Sequence, residues 1–328
     1  MLKASVIGYG YWGPNLARNF NNDPEIQLKW IVDSSSERLR KAFLSYPFVN
    51  LSTNVSDVLN DDEINIVAIA TPVATHFKLA KDALEAGKHV WVEKPLASSA
   101  KEAEELVKIA EKNDRILIVD HTFVYTGAVQ KIKELIDKGE IGEVIYYDSI
   151  RVNLGLFQTD VNVIWDLAVH DISIIDFIFN GIKVKKIMSV GMTYANHLKE
   201  SLASINLVLR DNKYIHINVS WISPVKIRLA LIGGSKKMIV YDDTEASEKI
   251  KVYDRGVEVV QSPEDLYKIW VQYRTGDMWA PKLDNREALA VEVDHFVDCI
   301  KNGKKPITDG LAGLKVVEVL EMIDRSLR

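Results

Sequence analysis

Lys94, Asp166 and His170 are of types and at spacings that suit proton transfer at a carbon–oxygen bond. Lys94 sits in Glu93-Lys94-Pro95, at the carboxyl end of an apolar run over 89–93. An ammonium there can stabilise the alkoxide that develops when hydride leaves a carbinol carbon, and can relay its proton. Asp166 and His170 stand i,i+4 within Trp165-Asp166-Leu167-Ala168-Val169-His170-Asp171, which puts both on one face of a helix. The imidazole suits a substrate proton near neutral pH, and the carboxylate can orient it or bond a substrate hydroxyl. Taken alone, each has a plain alternative: a solvated loop lysine, and an Asp–His pair on a helix surface. No third ligand is patterned with the pair, so no metal is expected.

The elements that must position these groups begin at the N-terminus. An apolar run at 4–7 breaks into Gly8-Tyr9-Gly10-Tyr11-Trp12-Gly13, with helix-compatible sequence after it. In this G-x-G-x-x-G pattern Gly8 permits a tight turn, Gly10 lets backbone approach a pyrophosphate, and Gly13 lets helix pack on strand. Asp33 closes the apolar stretch 28–32, twenty residues after Gly13. There a carboxylate accepts from ribose hydroxyls and repels a 2′-phosphate, so NAD is favoured over NADP, although Ser34, Ser35 and Arg38 could hold a phosphate if Asp33 turned away. Further strands are expected near 49–51, at 64–70, 89–93 and 115–120, with helices over 74–86 and 99–113. Six parallel strands with helical crossovers predict a doubly wound α/β sheet, whose ligands bind at the carboxyl ends of the strands. Lys94 would stand at such an end.

Past residue 121 the rhythm changes. A helix over 129–139, a strand over 144–153 and a helix over 164–179 precede β-rich sequence from 184 to 253, and two helices (287–301, 311–327) close the chain. This predicts a dinucleotide-binding domain, 1–121, and an α+β domain, 122–328, built on an open, mostly antiparallel sheet of about five to seven strands. The net charge of −5 argues against a partner held by phosphate neutralisation, so no nucleic acid is expected. Cys299 is the sole cysteine, which excludes an internal disulfide; it reads as packing. With no signal-like or membrane-length apolar run, a cytoplasmic protein is expected.

The glycine string, Ala70-Thr71-Pro72 with His76, Glu93-Lys94-Pro95 and the Asp166/His170 helix together resemble the Gfo/Idh/MocA oxidoreductases, over essentially the whole chain. The resemblance implies that Lys94 is the active-site lysine and Asp166 and His170 the catalytic pair. It also implies that Thr71, Pro72, His76, Glu93 and Lys94 line the cofactor beside Gly8, Gly10, Tyr11, Trp12, Gly13 and Asp33. An open sheet in such proteins often supports dimers or tetramers, so a homo-oligomer is expected. Where many members carry Arg and then Pro, this chain has His121-Thr122-Phe123-Val124-Tyr125-Thr126-Gly127, making His121 and Tyr125 candidate substrate contacts. Arg151, Asn153 and Asn162 are further candidates, each able instead to satisfy backbone groups. The stretch 155–163 and Tyr273-Arg274-Thr275-Gly276-Asp277 look like a branch associated with nucleotide sugars. The expected activity is NAD-dependent oxidation of a secondary hydroxyl on such a sugar. The alternatives are a free polyol or monosaccharide dehydrogenase and a non-catalytic NAD-binding regulator. The aromatic segment 267–279 could serve as substrate cover, subunit contact or core.

Overall fold

A computed structural model describes residues 1–155, 157, 160–195, 199–261 and 269–327; Leu156, Gln158, Thr159, Tyr267 and the Trp270 side chain, on which parts of the reading above fall, lie outside the description. The chain forms two compact units, Met1–Thr126 with Arg286–Glu321, and Gly127–Asn285 with Met322–Arg328. The division at residue 121/122 follows chain order, whereas packing returns the penultimate helix and most of the last one to the first unit.

In the first unit, β1 (Leu2–Ile7), β2 (Ile26–Val32), β3 (Asn50–Ser52), β4 (Ile66–Ile69), β5 (His89–Glu93) and β6 (Leu117–Asp120) form one parallel sheet, ordered β3-β2-β1-β4-β5-β6. Helices α1 (Gly13–Asn22), α2 (Ser36–Ser45), α3 (Ser56–Leu59), α4 (His76–Glu85) and α5 (Ala100–Lys112) connect successive strands. Every residue of β4 and β6 is buried, as expected of strands covered on both faces, and this is why β4 reads as an apolar run and β6 as one that ends at Asp120. Strand order reverses between β1 and β4, so the loops after these strands flank the switch point where doubly wound sheets take ligands.

The second unit opens with α6 (Gly127–Asp137) and β7 (Val144–Leu154). A π-helical turn, Ile164–Ala168, runs directly into α7 (Val169–Ile178). There follow β8 (Val184–Met192), β9 (Leu202–Leu209), β10 (Tyr214–Ser220), β11 (Ile222–Gly234), β12 (Met238–Asp242), β13 (Ile250–Tyr253), β14 (Gly256–Gln261), β15 (Ile269–Arg274) and β16 (Met278–Trp279). Eight of the strands form one sheet, β16-β13-β12-β11-β7-β10-β9-β8, while β14 and β15 pair separately. The sheet exceeds the expected five to seven strands because β7, far upstream, inserts beside β10 as a parallel neighbour. Local periodicity carries no trace of such a long-range pairing. Alternate residues of β9 are buried, so the sheet presents one covered and one open face.

The chain ends with α8 (Ala288–Asn302) and α9 (Gly310–Ser326). Helix α8 belongs to the core of the first unit: Trp91 of β5 meets Phe20 of α1 edge-on at 5.8 Å and Phe296 of α8 at 5.5 Å between ring centroids. Cys299 of α8 is buried and free, its thiol pushed up to about 11 by burial. Among the described residues no helix is long and apolar enough to cross a membrane.

Candidate active site

The glycine loop is built for close approach. Gly8 has φ +95°, and a Cβ there would lie 2.5 Å from Ala70 O; a Cβ on Gly13 would lie 1.9 Å from Gly8 O. A Cβ on Gly10 would meet nothing nearer than Arg38 Nη1 at 3.7 Å, so this edge of the loop is open. Gly8 and Gly13 are thus demanded by packing, whereas Gly10 leaves room for a ligand. The loop feeds the first turn of α1, whose dipole favours phosphate, although Pro14 carries no N–H there and Asn15 N–H is bonded to Trp12 O at 2.8 Å. Asp33, 5% exposed, accepts from Tyr9 N–H at 2.7 Å and Ser35 N–H at 2.8 Å, with Arg38 Nη1 3.4 Å away. An open glycine edge, a helix N-terminus and a carboxylate at the end of β2 fit the pyrophosphate and ribose of a dinucleotide. Tyr11 is exposed, whereas Trp12 is half-buried at the N-cap of α1.

Beside this loop stand the ends of β4, β5 and β6. His76 is fully buried, with Nδ1 2.9 Å from Pro95 O and Nε2 2.8 Å from Thr71 O. It ties the Thr71-Pro72 turn to the Lys94-Pro95 turn, so it positions Lys94 from within the protein. Asp120 at the end of β6 gathers donors: Trp12 Nε1 at 2.6 Å, Trp91 Nε1 at 3.4 Å and the Thr122 hydroxyl. Glu93 and Glu292 both face Asp120, and burial, then the Asp120 charge, pushes both carboxyls well above the usual range. His121 is 1% exposed and held down to about 3, by burial and then by the Lys94 charge, so its ring is neutral. Tyr125 is 2% exposed, its hydroxyl 3.0 Å from Thr308 Oγ1 and its ring against His295. His121 and Tyr125 are therefore enclosed within the first unit, and both ring nitrogens of His121 are buried without a hydrogen-bond partner among the described residues.

Glu292 was not singled out from sequence, although a signal exists. It falls on the apolar stripe of α8 with Leu289, Val293, Phe296 and Val297, where a carboxylate is out of place unless partnered.

In the second unit, Asp166 lies in the π-helical turn and His170 in the first turn of α7; both are half-buried. The fully buried Trp221 donates its indole N–H to Asp166 Oδ2 at 2.8 Å. Gly155 makes that indole possible: its N–H donates to Trp221 O at 2.9 Å, and a Cβ on it would lie 2.4 Å from Trp221 Cδ1. Phe157 covers the indole at 5.7 Å. Neither Trp221 nor the π turn was expected from sequence; a lone Trp between strands gives no sign of its partner.

The remaining substrate candidates are drawn into structure. Arg151, 3% exposed, donates to Asp171 at 2.7 Å, where the Tyr147 hydroxyl also donates, so it ties β7 to α7. Asn162 accepts from Ile164 and Trp165 N–H at 3.1 Å and donates to Glu200 and Asp324, capping the helical segment. Asn153 is half-buried on β7. Of the aromatic segment, Tyr273 is exposed on β15 and Trp279 pairs with Val252 through β16. Among the described residues no group of three His, Cys, Asp or Glu could hold a metal.

Residues 2–121 match the oxidoreductase family's NAD-binding Rossmann fold, and 133–328 match its C-terminal alpha/beta domain. The uncharacterized oxidoreductase YrbE of Bacillus subtilis is 26% identical over 61% of this chain, which spans 60% of that relative's length. The scyllo-inositol 2-dehydrogenase (NAD(+)) of Bacillus subtilis is 24% identical, covering 97% of this chain and 92% of its own. The UDP-N-acetylglucosamine 3-dehydrogenase of Acidithiobacillus ferrooxidans is 24% identical, covering 96% of this chain and 94% of its own. A solved structure of that last protein, GnnA, superposes with a TM-score of 0.83 at 23% identity, covering 99% and 97% of the two chains, which is a likeness of fold. With the family's two domains matched in order over nearly its full length, the chain belongs to the Gfo/Idh/MocA oxidoreductase family.

Proposed function

We propose that the protein is an NAD-dependent dehydrogenase oxidising a secondary hydroxyl of a nucleotide-activated sugar, such as a UDP-N-acetylhexosamine or its uronate. The observation that carries the dehydrogenase reading is the Lys94 turn. It stands at the end of β5 and is joined to the glycine loop through Glu93, Asp120 and Trp12. NAD supplies the hydride acceptor when bound; Gly10, the start of α1 and Asp33 would hold it, and the Asp33 charge would disfavour a 2′-phosphate. Lys94 would polarise the reacting oxygen as its carbon loses hydride. His170 would take the hydroxyl proton as general base and return it in the reverse direction. Asp166, held by Trp221, would orient the imidazole or a substrate hydroxyl.

The nucleotide-sugar reading is supported by the relative named for UDP-N-acetylglucosamine. A free inositol-type polyol is the second reading, because the relative named for scyllo-inositol matches at the same identity. Exposed apolar side chains on the edge strand β8 (Met188, Val190 and Met192) support a homo-oligomer. The test is nicotinamide absorbance with NAD against nucleotide sugars, free hexoses and inositols. NADH formation with a nucleotide sugar supports the proposal. Turnover confined to inositols transfers it to the second reading. NAD binding without turnover across the panel favours a non-catalytic regulator.

A further inference from the structure

Glu292 and the glycine loop are connected through one acceptor. Both Glu292 oxygens are buried with no side-chain donor among the described residues; the backbone N–H of His121 lies nearby but is directed at Val119 O, 2.7 Å away. The group it meets is another carboxyl, Asp120, and two carboxyls can hydrogen-bond only if one carries a proton. Asp120 has the donors, since Trp12, Trp91 and Thr122 all point at it and favour its charge. The proton therefore resides on Glu292, the member with fewer donors. Trp12, at the far end of this line, lies between Gly10 and Gly13 and caps α1.

We propose that Glu292 is a positioning residue for the cofactor loop: a neutral carboxylic acid that donates to Asp120 and keeps Asp120 the charged acceptor of the Trp12 indole. The proposal rests on reading residues 8–13 as the dinucleotide loop. Its consequence is a pH-dependent grip on NAD. When Glu292 loses its proton, two adjacent carboxylates repel, Asp120 shifts from Trp12, and the loop loosens. The other titratable and charged groups facing this cluster are Glu93 and Lys94 at the end of β5, and His121 and Tyr125 after β6. His121 is neutral and stays so at alkaline pH, and Tyr125 is held neutral by burial. Glu93 also faces Asp120, so the Glu292 contribution is isolated by substitution at Glu292 itself.

The experiment measures the dissociation constant of NAD by calorimetry from pH 7 to pH 10, with no substrate present, for the wild type, Glu292→Gln and Glu292→Ala. Thermal unfolding at each pH reports whether a variant is folded. In the wild type the dissociation constant rises about tenfold or more across the range. Glu292→Gln, whose amide donates but does not titrate, keeps the neutral-pH affinity and rises less than about threefold. Glu292→Ala is weakened already at pH 7. Trp12 emission, taken as wild type minus Trp12→Phe, shifts to the red over the same range. Equal alkaline weakening in the wild type and Glu292→Gln overturns the proposal, as does wild-type affinity that is flat with pH. Absence of NAD binding at every pH overturns the reading of the loop as well.

Discussion

The indole of Trp221 donates to Asp166 at 2.8 Å across 55 residues of chain, from the junction of β10 and β11 to the π-helical turn before α7. A neutral donor thereby holds the carboxylate that sits one turn from His170. Gly155 and Phe157 hold the indole in turn.

Trp221→Phe keeps the buried ring and removes the donor. A hydrogen bond to a charged group contributes about 1.5–3 kcal/mol, so turnover should fall roughly ten- to a hundredfold. NAD affinity should hold, because Trp221 and the glycine loop belong to different units. Steady-state kinetics and NAD titration check this. Unchanged turnover in a folded variant would remove Trp221 from the mechanism.

The glycines of the loop separate packing from ligand space. Gly10→Ala adds a methyl where the nearest atom is 3.7 Å away, so its melting temperature should move by no more than about 2 °C while NAD binding is lost. Gly13→Ala drives a methyl to 1.9 Å from Gly8 O and should lose both stability and binding. Thermal unfolding with and without NAD distinguishes the two. A Gly10→Ala protein that binds NAD as the wild type does would contradict the assignment of the open edge.

Acid should weaken the first unit through His121. Its native pKa is depressed to about 3 from an ordinary value near 6.5, so below 6.5 the unfolded chain takes a proton that the native state refuses. Stability from this group is present above about pH 6.5 and lost as pH falls toward 3. His89, held down to about 4 by burial and the Arg115 charge, acts in the same direction. Glu292 acts in the opposite sense: its raised native pKa stabilises at low pH, and that contribution is lost as pH rises from about 4 through its native value. Denaturant unfolding at pH 6.5 and pH 4.5 should show His121→Gln losing about 2–3 kcal/mol less than the wild type over that interval. The same loss in both would show that His121 titrates normally.

Legibility divided by range. The parallel sheet, the glycine loop and Asp33 were legible because each is a local pattern: an apolar run, a turn that only glycine permits, a carboxylate at a strand end. The E-K-P turn was legible for the same reason. Tyr125, Arg151 and Asn162 were legible as polar residues needing partners, but their partners lie far along the chain, at Thr308, Asp171 and Asp324. Sequence spacing therefore offered them as ligands of a substrate when they serve the fold. His76 likewise turned out to clamp two loops through backbone carbonyls. The insertion of β7 beside β10 and the return of α8 to the first unit are topological, and no local period encodes them.

The most direct test of the central claim is Lys94→Ala, measured for both NAD affinity and turnover with the substrate that reduces NAD best in the wild type. Turnover should fall by several decades with NAD affinity nearly intact, because Lys94 acts on the reacting oxygen while the glycine loop and Asp33 hold the cofactor. Turnover near the wild-type rate, or loss of NAD binding in place of turnover, would contradict that claim.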